Sequence, residues 1–222
     1  NIVHYYPLIQ GIGNFLKVPA VKIATNNERL DITEKGIREF LDKYKDTVYY
    51  DGTVAKVGVY CGNIETLEEQ VYPLAVRIAE EYGLNPSEAV LKFHGGNKKY
   101  PIPVDSALAF ESLDKPFSRV RIVLLVQIGK EGWDCRSLTG IILSQEGDCS
   151  TNMVLQTSCR CLRQVERGNP ETALIYLNES NAKILNTQLE KQHHISIKEF
   201  ENGSINPNAT IKRYDRTAYL KL

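Results

Sequence analysis

The sequence predicts an α/β protein with a mostly parallel sheet sandwiched by helices. Apolar runs of strand length alternate with segments whose apolar residues recur at helical spacing. The run 120–129 is almost continuously apolar, which is typical of a strand buried on both faces of a parallel sheet. Such strand–helix–strand repeats form right-handed crossovers. The Gly-Trp-Asp at 132–134 is expected at the carboxyl end of this strand, the edge where open α/β sheets bind ligands.

The other predicted elements are bounded by turn or capping residues. Pro73 lies inside the helix that follows Asn63, and is expected to kink that helix or split it in two. Ser150 or Thr151 is expected to cap a helix that follows the predicted strand 139–144, and the next thirteen residues contain no Gly or Pro. The predicted strands are 54–60, 89–93, 120–129, 139–144 and 172–177, and helices are predicted to begin near residues 31, 63, 105, 150 and 180.

The flanks of the chain are predicted to differ from this alternating core. Residues 1–50 are interpreted as a lead-in or linker segment with one helix, 51–180 as the α/β lobe, and 181–222 as a C-terminal helix and tail. Glycines and prolines interrupt the apolar runs of the first thirty residues, which indicates only short pieces of structure there. Because the sequence begins with Asn rather than Met, we expect it to be a piece of a longer protein.

Composition narrows the functional classes. Lys plus Arg and Asp plus Glu both number 27, so a nucleic-acid partner must be held by a local basic patch rather than by net charge. No apolar run reaches the roughly 18 residues of a membrane span, and no secretory signal is visible, so we expect a cytoplasmic protein without a membrane partner. Five cysteines without Cys-x-x-Cys spacing favour reduced thiols over a zinc site.

The segment after Ser150 carries a group of polar residues suited to a polyanion. On a continuous helix, Gln156, Arg160 and Arg163 stand at i, i+4 and i+7 and project from one face. Guanidinium groups grip phosphate oxygens through paired hydrogen bonds and stay charged. A solvated helix face with scattered charges is the alternative, and the spacing alone does not decide between the two.

Several short segments resemble motifs of the second RecA-like lobe of superfamily-two helicases. The segment Gln156 to Arg163 is similar to the last motif, Gln-x-x-Gly-Arg-x-x-Arg, except for a cysteine at the glycine position. Lys-Glu-Gly-Trp-Asp at 130–134 is similar to the preceding motif, in the form used by type III restriction enzyme Res subunits and related DEAD/DEAH-type helicases. Phe-His-Gly-Gly at 93–96 and Phe-Glu-Ser-Leu-Asp at 110–114 also resemble that family. The resemblance covers about residues 54–178.

The resemblance implies roles for individual residues. Arg163 aligns with the arginine finger, which offsets charge developing on the γ-phosphate of ATP, and Arg160 aligns with its partner. Gln156 would fix the geometry of an arginine or a water molecule, which completes the predicted catalytic group. Gly132 and Asp134 align with a nucleotide-binding loop that senses ribose. The predicted nucleic-acid contacts are His94, Gly95, Lys98, Lys99 and Lys130.

Each of these residue types also has a structural interpretation. Asp134 fits a local cap or ion pair, and Trp133 fits a core plug better than a base-stacking platform. His94, at a strand end, fits a turn residue. Lys98 and Lys99 fit solvated surface charges.

Two parts of an ATPase site are missing from the sequence. It contains no Gly-x-x-x-x-Gly-Lys-[Ser/Thr] loop to cradle phosphates and no acidic pair for Mg²⁺. In the family both lie on the first RecA-like lobe, which this chain lacks. The resemblance therefore implies half of an ATP site, with the Mg²⁺ ligands on the first lobe of the same parent chain, and an isolated fragment that is inactive.

The sequence is thus interpreted as the second motor lobe of a DNA-dependent ATPase or helicase, with a type III restriction Res subunit as the parent. The resemblance implies duplex DNA and a modification methyltransferase subunit as partners, and any nuclease would lie outside these residues. A stand-alone nucleic-acid- or nucleotide-binding module without catalysis is the alternative. A Rossmann-like dehydrogenase is disfavoured, because no Gly-x-Gly-x-x-Gly follows any strand.

Overall fold

Six parallel strands form one sheet in the order β1-β6-β5-β2-β4-β3. The computed structural model describes residues 6–25, 28–126, 133–166 and 168–203. The strands are β1 (Val18–Ile23), β2 (Lys56–Tyr60), β3 (Val90–Phe93), β4 (Ile122–Leu125), β5 (Leu138–Leu143) and β6 (Thr172–Leu177). The predicted α/β fold with a parallel sheet is confirmed.

Helices cover both faces of this sheet. They are α1 (Leu8–Gly11), α2 (Arg29–Tyr44), α3 (Ile64–Thr66), α4 (Tyr72–Glu81), α5 (Pro86–Ala89), α6 (Ser106–Glu111), α7 (Val154–Ser158), α8 (Glu179–His193) and α9 (Ile197–Asn202). A π turn at Leu67–Val71 joins α3 to α4, and 3₁₀ turns at Thr151–Met153 and Cys159–Leu162 flank α7.

Successive residues of the strands face two separate core layers. Ile142 of β5 belongs to the layer that contains Phe40 of α2 and Ile78 of α4. Ile141 and its strand neighbour Leu143 belong to the opposite layer, which α7 and α8 cover. Every residue of β2, β4 and β5 is buried. Burial on both faces is the physical reason for the continuous apolar runs in the sequence.

Pro73 is accommodated by the π turn. The backbone N–H of Tyr72 donates to the carbonyl oxygen of Leu67, five residues back. Pro73 then occupies the first turn of α4, a position that tolerates proline. The predicted interruption at Pro73 is therefore a change of hydrogen-bond register along one run of helix. The π turn also carries Glu68 and Glu69, which contact the segment after β3.

The first fifty residues contribute a strand to the same sheet. β1 pairs with β6 along its whole length and forms one edge of the sheet. Pro19 is tolerated in β1 because an edge strand can lack a backbone donor. The sequence indicated only short pieces of structure here, since a proline inside a six-residue strand conceals the strand pattern. The division of the chain into segments at residues 50 and 180 stays a prediction.

Gly140 of β5 allows α2 to approach the sheet closely. A Cβ atom at Gly140 would lie 2.8 Å from Cδ2 of Phe40 and 3.0 Å from Cγ2 of Val57.

Both neighbours of Gly140 are fully buried, so we expect Gly140→Ala to lower the free energy of unfolding by about 1–3 kcal/mol through overpacking. Urea denaturation would measure this. In the control Gly95→Ala the new Cβ meets nothing within 4 Å, and stability should change by less than about 0.5 kcal/mol; equal stability of the two variants would contradict the close packing.

Candidate functional site

Asp114 anchors the segment that leads into β5. Its carboxylate accepts hydrogen bonds from the backbone N–H groups of Arg136 at 2.7 Å and Ser137 at 3.0 Å, and from the Ser137 hydroxyl at 2.6 Å. Burial acts to raise the pKa of Asp114, but these hydrogen bonds hold the pKa below its usual range. The carboxylate therefore stays charged and fixes the backbone at residues 136–137.

Lys17 anchors the same segment from the chain before β1. Its side chain is fully buried, and its ammonium donates to the carbonyl oxygens of Arg136 and Leu138 at 3.1 Å and to the Thr139 hydroxyl at 3.2 Å. Burial lowers the pKa of Lys17, while the carboxylate of Glu171, 3.6 Å away, opposes that shift. The position of Arg136 is thus set by Asp114 and by Lys17, which is more than a hundred positions away in sequence.

Trp133 is packed in an aromatic stack. The rings of Phe93 and Phe110 stack at a centroid distance of 3.8 Å, and Phe110 stacks on Trp133 at 5.0 Å. The guanidinium of Arg160 lies 5.8 Å from the centroid of the Trp133 ring and donates to the Trp133 carbonyl oxygen at 3.0 Å. Trp133 and Arg160 hold the 3₁₀ turn after α7 against α6, which agrees with the interpretation of Trp133 as a core residue.

Gln156, Arg160 and Arg163 do not share one helix face. After α7 the chain continues as a 3₁₀ turn, and Arg163 has extended backbone with φ −67° and ψ 128°. The prediction of a continuous helix over 151–163 is wrong, because three residues per turn replace 3.6 and residues four and seven apart no longer align. Gln156 is exposed, Arg160 is half-buried, and the backbone of Arg163 pairs with Leu16.

Arg163 and Asp134 form an ion pair on the surface. Nη1 of Arg163 contacts Oδ1 of Asp134, and the two side chains are 46% and 59% exposed. The structure thus brings together one residue of the predicted catalytic group and one predicted nucleotide-binding residue. An exposed ion pair contributes only about 0–1 kcal/mol. A phosphate group could therefore compete with Asp134 for the guanidinium.

This ion pair lies on the amino side of the sheet. Leu16, which pairs with Arg163, precedes the start of β1, and Asp134 precedes the start of β5. The expectation that Asp134 stands at the carboxyl end of the preceding strand is wrong, because Asp134 is held beside the residues that open β5. Gly132 and Lys130 lie outside the described residues, so their nucleotide and nucleic-acid roles stay predictions.

His94 is a buried residue that orders the loop after β3. Its Nε2 lies 2.8 Å from a carboxylate oxygen of Glu68, and its Nδ1 accepts the backbone N–H of Gly96 at 3.1 Å. Because Nδ1 acts as an acceptor, the ring carries its proton on Nε2 and donates it to Glu68. Lys92 binds the same carboxylate at 2.7 Å. A direct contact between His94 and nucleic acid stays a prediction.

The lysines of this loop differ in their contacts. Lys99 lies 2.5 Å from the carboxylate of Glu69, which also accepts the Tyr100 hydroxyl at 2.7 Å. Lys98 is exposed, and in the described part of the chain no side chain or carbonyl accepts a hydrogen bond from its ammonium. Gly95 is exposed with open space around it. The loop therefore presents Gly95, Lys98 and the Glu69-paired Lys99 to solvent. The nucleic-acid contacts of all three stay predictions.

Two sets of residues around these sites were not among the predicted ones. Glu65, Glu68 and Glu69 hold the loop after β3, and their i, i+3, i+4 spacing on a predicted helix was the available signal. Arg136, two residues after Asp134, is exposed and lines an open cleft of about 810 Å³ together with Arg163. Its position immediately after Gly-Trp-Asp-Cys could have indicated a second cation.

Comparison with solved structures shows the fold. The chain is similar to domain 2 of the DEAD-box helicase Mss116p bound to an RNA duplex, with a TM-score of 0.51 and 11% identity. The match covers 81% of this chain and 61% of that one. The chain has the fold of a helicase second lobe. A second similar structure is the ATP-dependent type ISP restriction-modification enzyme LlaBIII bound to DNA, at TM-score 0.46 and 15% identity.

The chain spans only part of the solved structures that it matches. It covers 61% of the Mss116p chain and 12% of the LlaBIII chain, and the LlaBIII match includes 74% of this chain. No protein-family profile matches the sequence, and no curated protein matches it.

Among residues 6–25, 28–126, 133–166 and 168–203, no helix is both long and apolar enough to cross a bilayer. The same residues include no group of three His, Cys, Asp or Glu side chains that could hold a metal ion. All five cysteines are free thiols, and burial raises the pKa of each. Burial therefore disfavours the thiolate form of all five.

Lys56 makes the stability of the lobe depend on pH. Its ammonium donates to the carbonyl oxygen of Val54 at 2.7 Å and to the Ser137 hydroxyl at 3.1 Å. Burial lowers the pKa of Lys56 to about 8, below the ordinary value of 10.5 that the unfolded chain retains. The charged form therefore opposes folding at pH 7, and this penalty disappears as the pH rises from about 8 to about 10.5.

We expect Lys56→Met to gain most over the wild type at low pH. The stability advantage of Lys56→Met over the wild type, as free energy of unfolding, should shrink by on the order of 3 kcal/mol between pH 7 and pH 10. Urea denaturation of both chains at the two pH values measures this change. Lys35→Met, at an exposed position of α2, should show a constant difference. A constant difference for Lys56→Met as well would contradict the lowered pKa.

Proposed function

We propose that this chain is the second motor lobe of a nucleic-acid-dependent ATPase of the helicase type. The observation that carries the proposal is the exposed Arg163, which stands at an open cleft with only a weak surface ion pair to Asp134. The fold of a helicase second lobe and the order of the motif-like segments support it. ATP would bind between this lobe and a first RecA-like lobe of the same parent chain.

The charge of Arg163 is suited to the transition state of phosphoryl transfer. Negative charge develops on the γ-phosphate as the bond to the leaving oxygen breaks, and a guanidinium placed there stabilises that state more than the ground state. In the resting lobe Asp134 holds this guanidinium at the surface. When the lobes close, Arg163 would exchange Asp134 for a phosphate oxygen, which links lobe closure to hydrolysis.

Arg160 and Gln156 have different roles in this proposal. Arg160 acts as a positioning residue, because its guanidinium binds the Trp133 carbonyl and so fixes the residue next to Asp134. Gln156 is exposed and free to meet the first lobe or the nucleotide. The described residues do not fit a Mg²⁺ site. We therefore assign the Mg²⁺ ligands to the first lobe and derive no step through the metal.

The parent is proposed to act on duplex DNA. The Lys-Glu-Gly-Trp-Asp segment is the reason to prefer a type III restriction Res subunit, and a modification methyltransferase subunit would then be a partner. The loop after β3 would meet the nucleic-acid backbone through Lys98 and the exposed backbone at Gly95. Glu69 neutralises Lys99, and Glu65 and Glu68 place further carboxylates beside the loop, so the contact is small.

Removal of Arg163 tests the proposed catalytic role. In an assembly with a first lobe, we expect Arg163→Ala to lower DNA-stimulated ATP turnover by about 10³–10⁵, with a much smaller effect on ATP affinity. Arg163→Lys should restore little, because a point charge does not reproduce the planar fork. Phosphate release measures turnover, and thermal melting checks folding.

The matched control is Arg119→Ala, which removes an exposed arginine from the chain just before β4. Its turnover should equal that of the wild type. If a folded Arg163→Ala assembly also keeps wild-type turnover, Arg163 does not serve the nucleotide. The alternative, in which this chain binds nucleotide or nucleic acid but supplies no catalytic residue, would then be preferred.

Salt dependence tests the nucleic-acid contact of the chain itself. We expect weak binding to duplex DNA, with a slope of log affinity against log salt of roughly −2 to −4, because few phosphates are contacted. Lys98→Glu should weaken binding and make the slope shallower by about 1. Fluorescence anisotropy over a salt series measures both. Lys191→Glu on α8 is the matched charge reversal and should have no effect; identical curves for the two variants would place the contact elsewhere.

A further inference from the structure

An open cleft beside Arg163 combines two cations with two aromatic rings. It has a volume of about 810 Å³. Its walls come from the loop after α1, the turn before β2, the segment entering β5 and the chain after Arg163. The lining residues are Asn14, Phe15, Tyr50, Arg136, Arg163, Gln164, Val165, Glu166 and Asn169.

Arg136 is the better fixed of the two cations. Asp114 accepts its backbone N–H at 2.7 Å, and Lys17 donates to its carbonyl oxygen at 3.1 Å. Its guanidinium is exposed, and no acceptor in the described ranges lies within hydrogen-bond distance of it. A rigid backbone with an unengaged guanidinium at its end is suited to an anion, because the donors are already placed and little entropy is lost on binding.

The aromatic residues of the cleft remain exposed. Phe15 is 54% exposed and Tyr50 is 76% exposed. The backbone N–H of Tyr50 donates to the Glu166 carboxylate at 2.8 Å, so the main chain is anchored while the ring faces outward. Large apolar rings in such a position favour a flat apolar ligand, because stacking on them removes ring surface from water.

The polar side chains of the cleft suit the hydroxyl groups of a sugar. The amide oxygen of Gln164 is enclosed and accepts no hydrogen bond from any described residue. The Glu166 carboxylate accepts from the Asn169 amide at 2.7 Å as well as from Tyr50. Enclosed or clustered acceptors of this kind fit O–H donors, and they would repel a second anion.

We infer that this cleft binds a nucleoside triphosphate, with the phosphates on Arg136 and Arg163 and the base against Phe15 and Tyr50. The inference rests on the proposed function and assigns to it a second phosphate-binding arginine and a base-binding wall. None of the lining residues belongs to the loop after β3, for which the nucleic-acid contact is proposed.

Binding of three probes to the chain separates the parts of this site. ATP, inorganic tripolyphosphate and adenosine are titrated against the wild type and followed by protein amide NMR shifts. Arg136→Ala should weaken ATP and tripolyphosphate alike by about 10- to 100-fold, the effect of a lost charge-assisted hydrogen bond. Tyr50→Ala should weaken ATP and adenosine but leave tripolyphosphate unchanged, and Tyr50→Phe should restore both.

Arg119→Ala is the matched control and should bind all three probes as the wild type does. The site is overturned if Arg136→Ala binds ATP like Arg119→Ala, or if Tyr50→Ala affects no probe. A short single-stranded oligonucleotide that binds more tightly than ATP, and loses that affinity in Arg136→Ala, would also overturn it.

Turnover in the two-lobe assembly distinguishes failure of this site from failure of the proposed function. Arg136→Ala should raise the ATP concentration needed for half-maximal turnover about tenfold or more. If it does not, while Arg163→Ala still abolishes turnover, only the cleft assignment fails. If neither variant changes turnover, the proposed function fails as well.

Discussion

The functional side of this lobe depends on how two buried ammonium groups are satisfied. Removing an ammonium from water costs several kcal/mol unless hydrogen bonds replace its hydration shell. Lys17 and Lys56 are both fully buried, and their acceptors lie on the chain that leads into and begins β5 and on the chain just before β2. Any displacement of that chain would leave a buried charge without acceptors. The arrangement therefore fixes the backbone from which Asp134 and Arg136 project.

The same arrangement couples the ends of the lobe. Lys17 stands just before β1, whereas its acceptors stand about 120 residues later. Asp114 adds a third anchor from the chain before β4. The edge strand β1 is thereby tied to the proposed nucleotide-binding segment at residues 134–136, although more than a hundred residues separate the two in sequence. Loss of β1 would be expected to disorder the site before it disrupted the central strands.

The sheet could be predicted from the sequence, but the site could be predicted only in part. Strands buried on both faces leave continuous apolar runs, so β4, β5 and β6 were visible as local patterns. Helix spacing did not predict that the helix would tighten into a 3₁₀ turn after α7, where Arg163 pairs with the distant Leu16. The burial of His94 against Glu68 likewise depends on a contact across 26 residues. Contacts of this kind have no signature in local periodicity.

The π turn at Leu67–Val71 has a consequence for aligning this sequence with related ones. A π turn holds about one residue more than an α turn. Deletion of one residue from it would restore the ordinary hydrogen-bond pattern and keep the helix intact, but it would rotate α3 against α4 by about 100°. Glu65 would then no longer face Asn97. A one-residue gap at this place in an alignment would thus mark a change in how the loop after β3 is anchored, while the fold itself stayed the same.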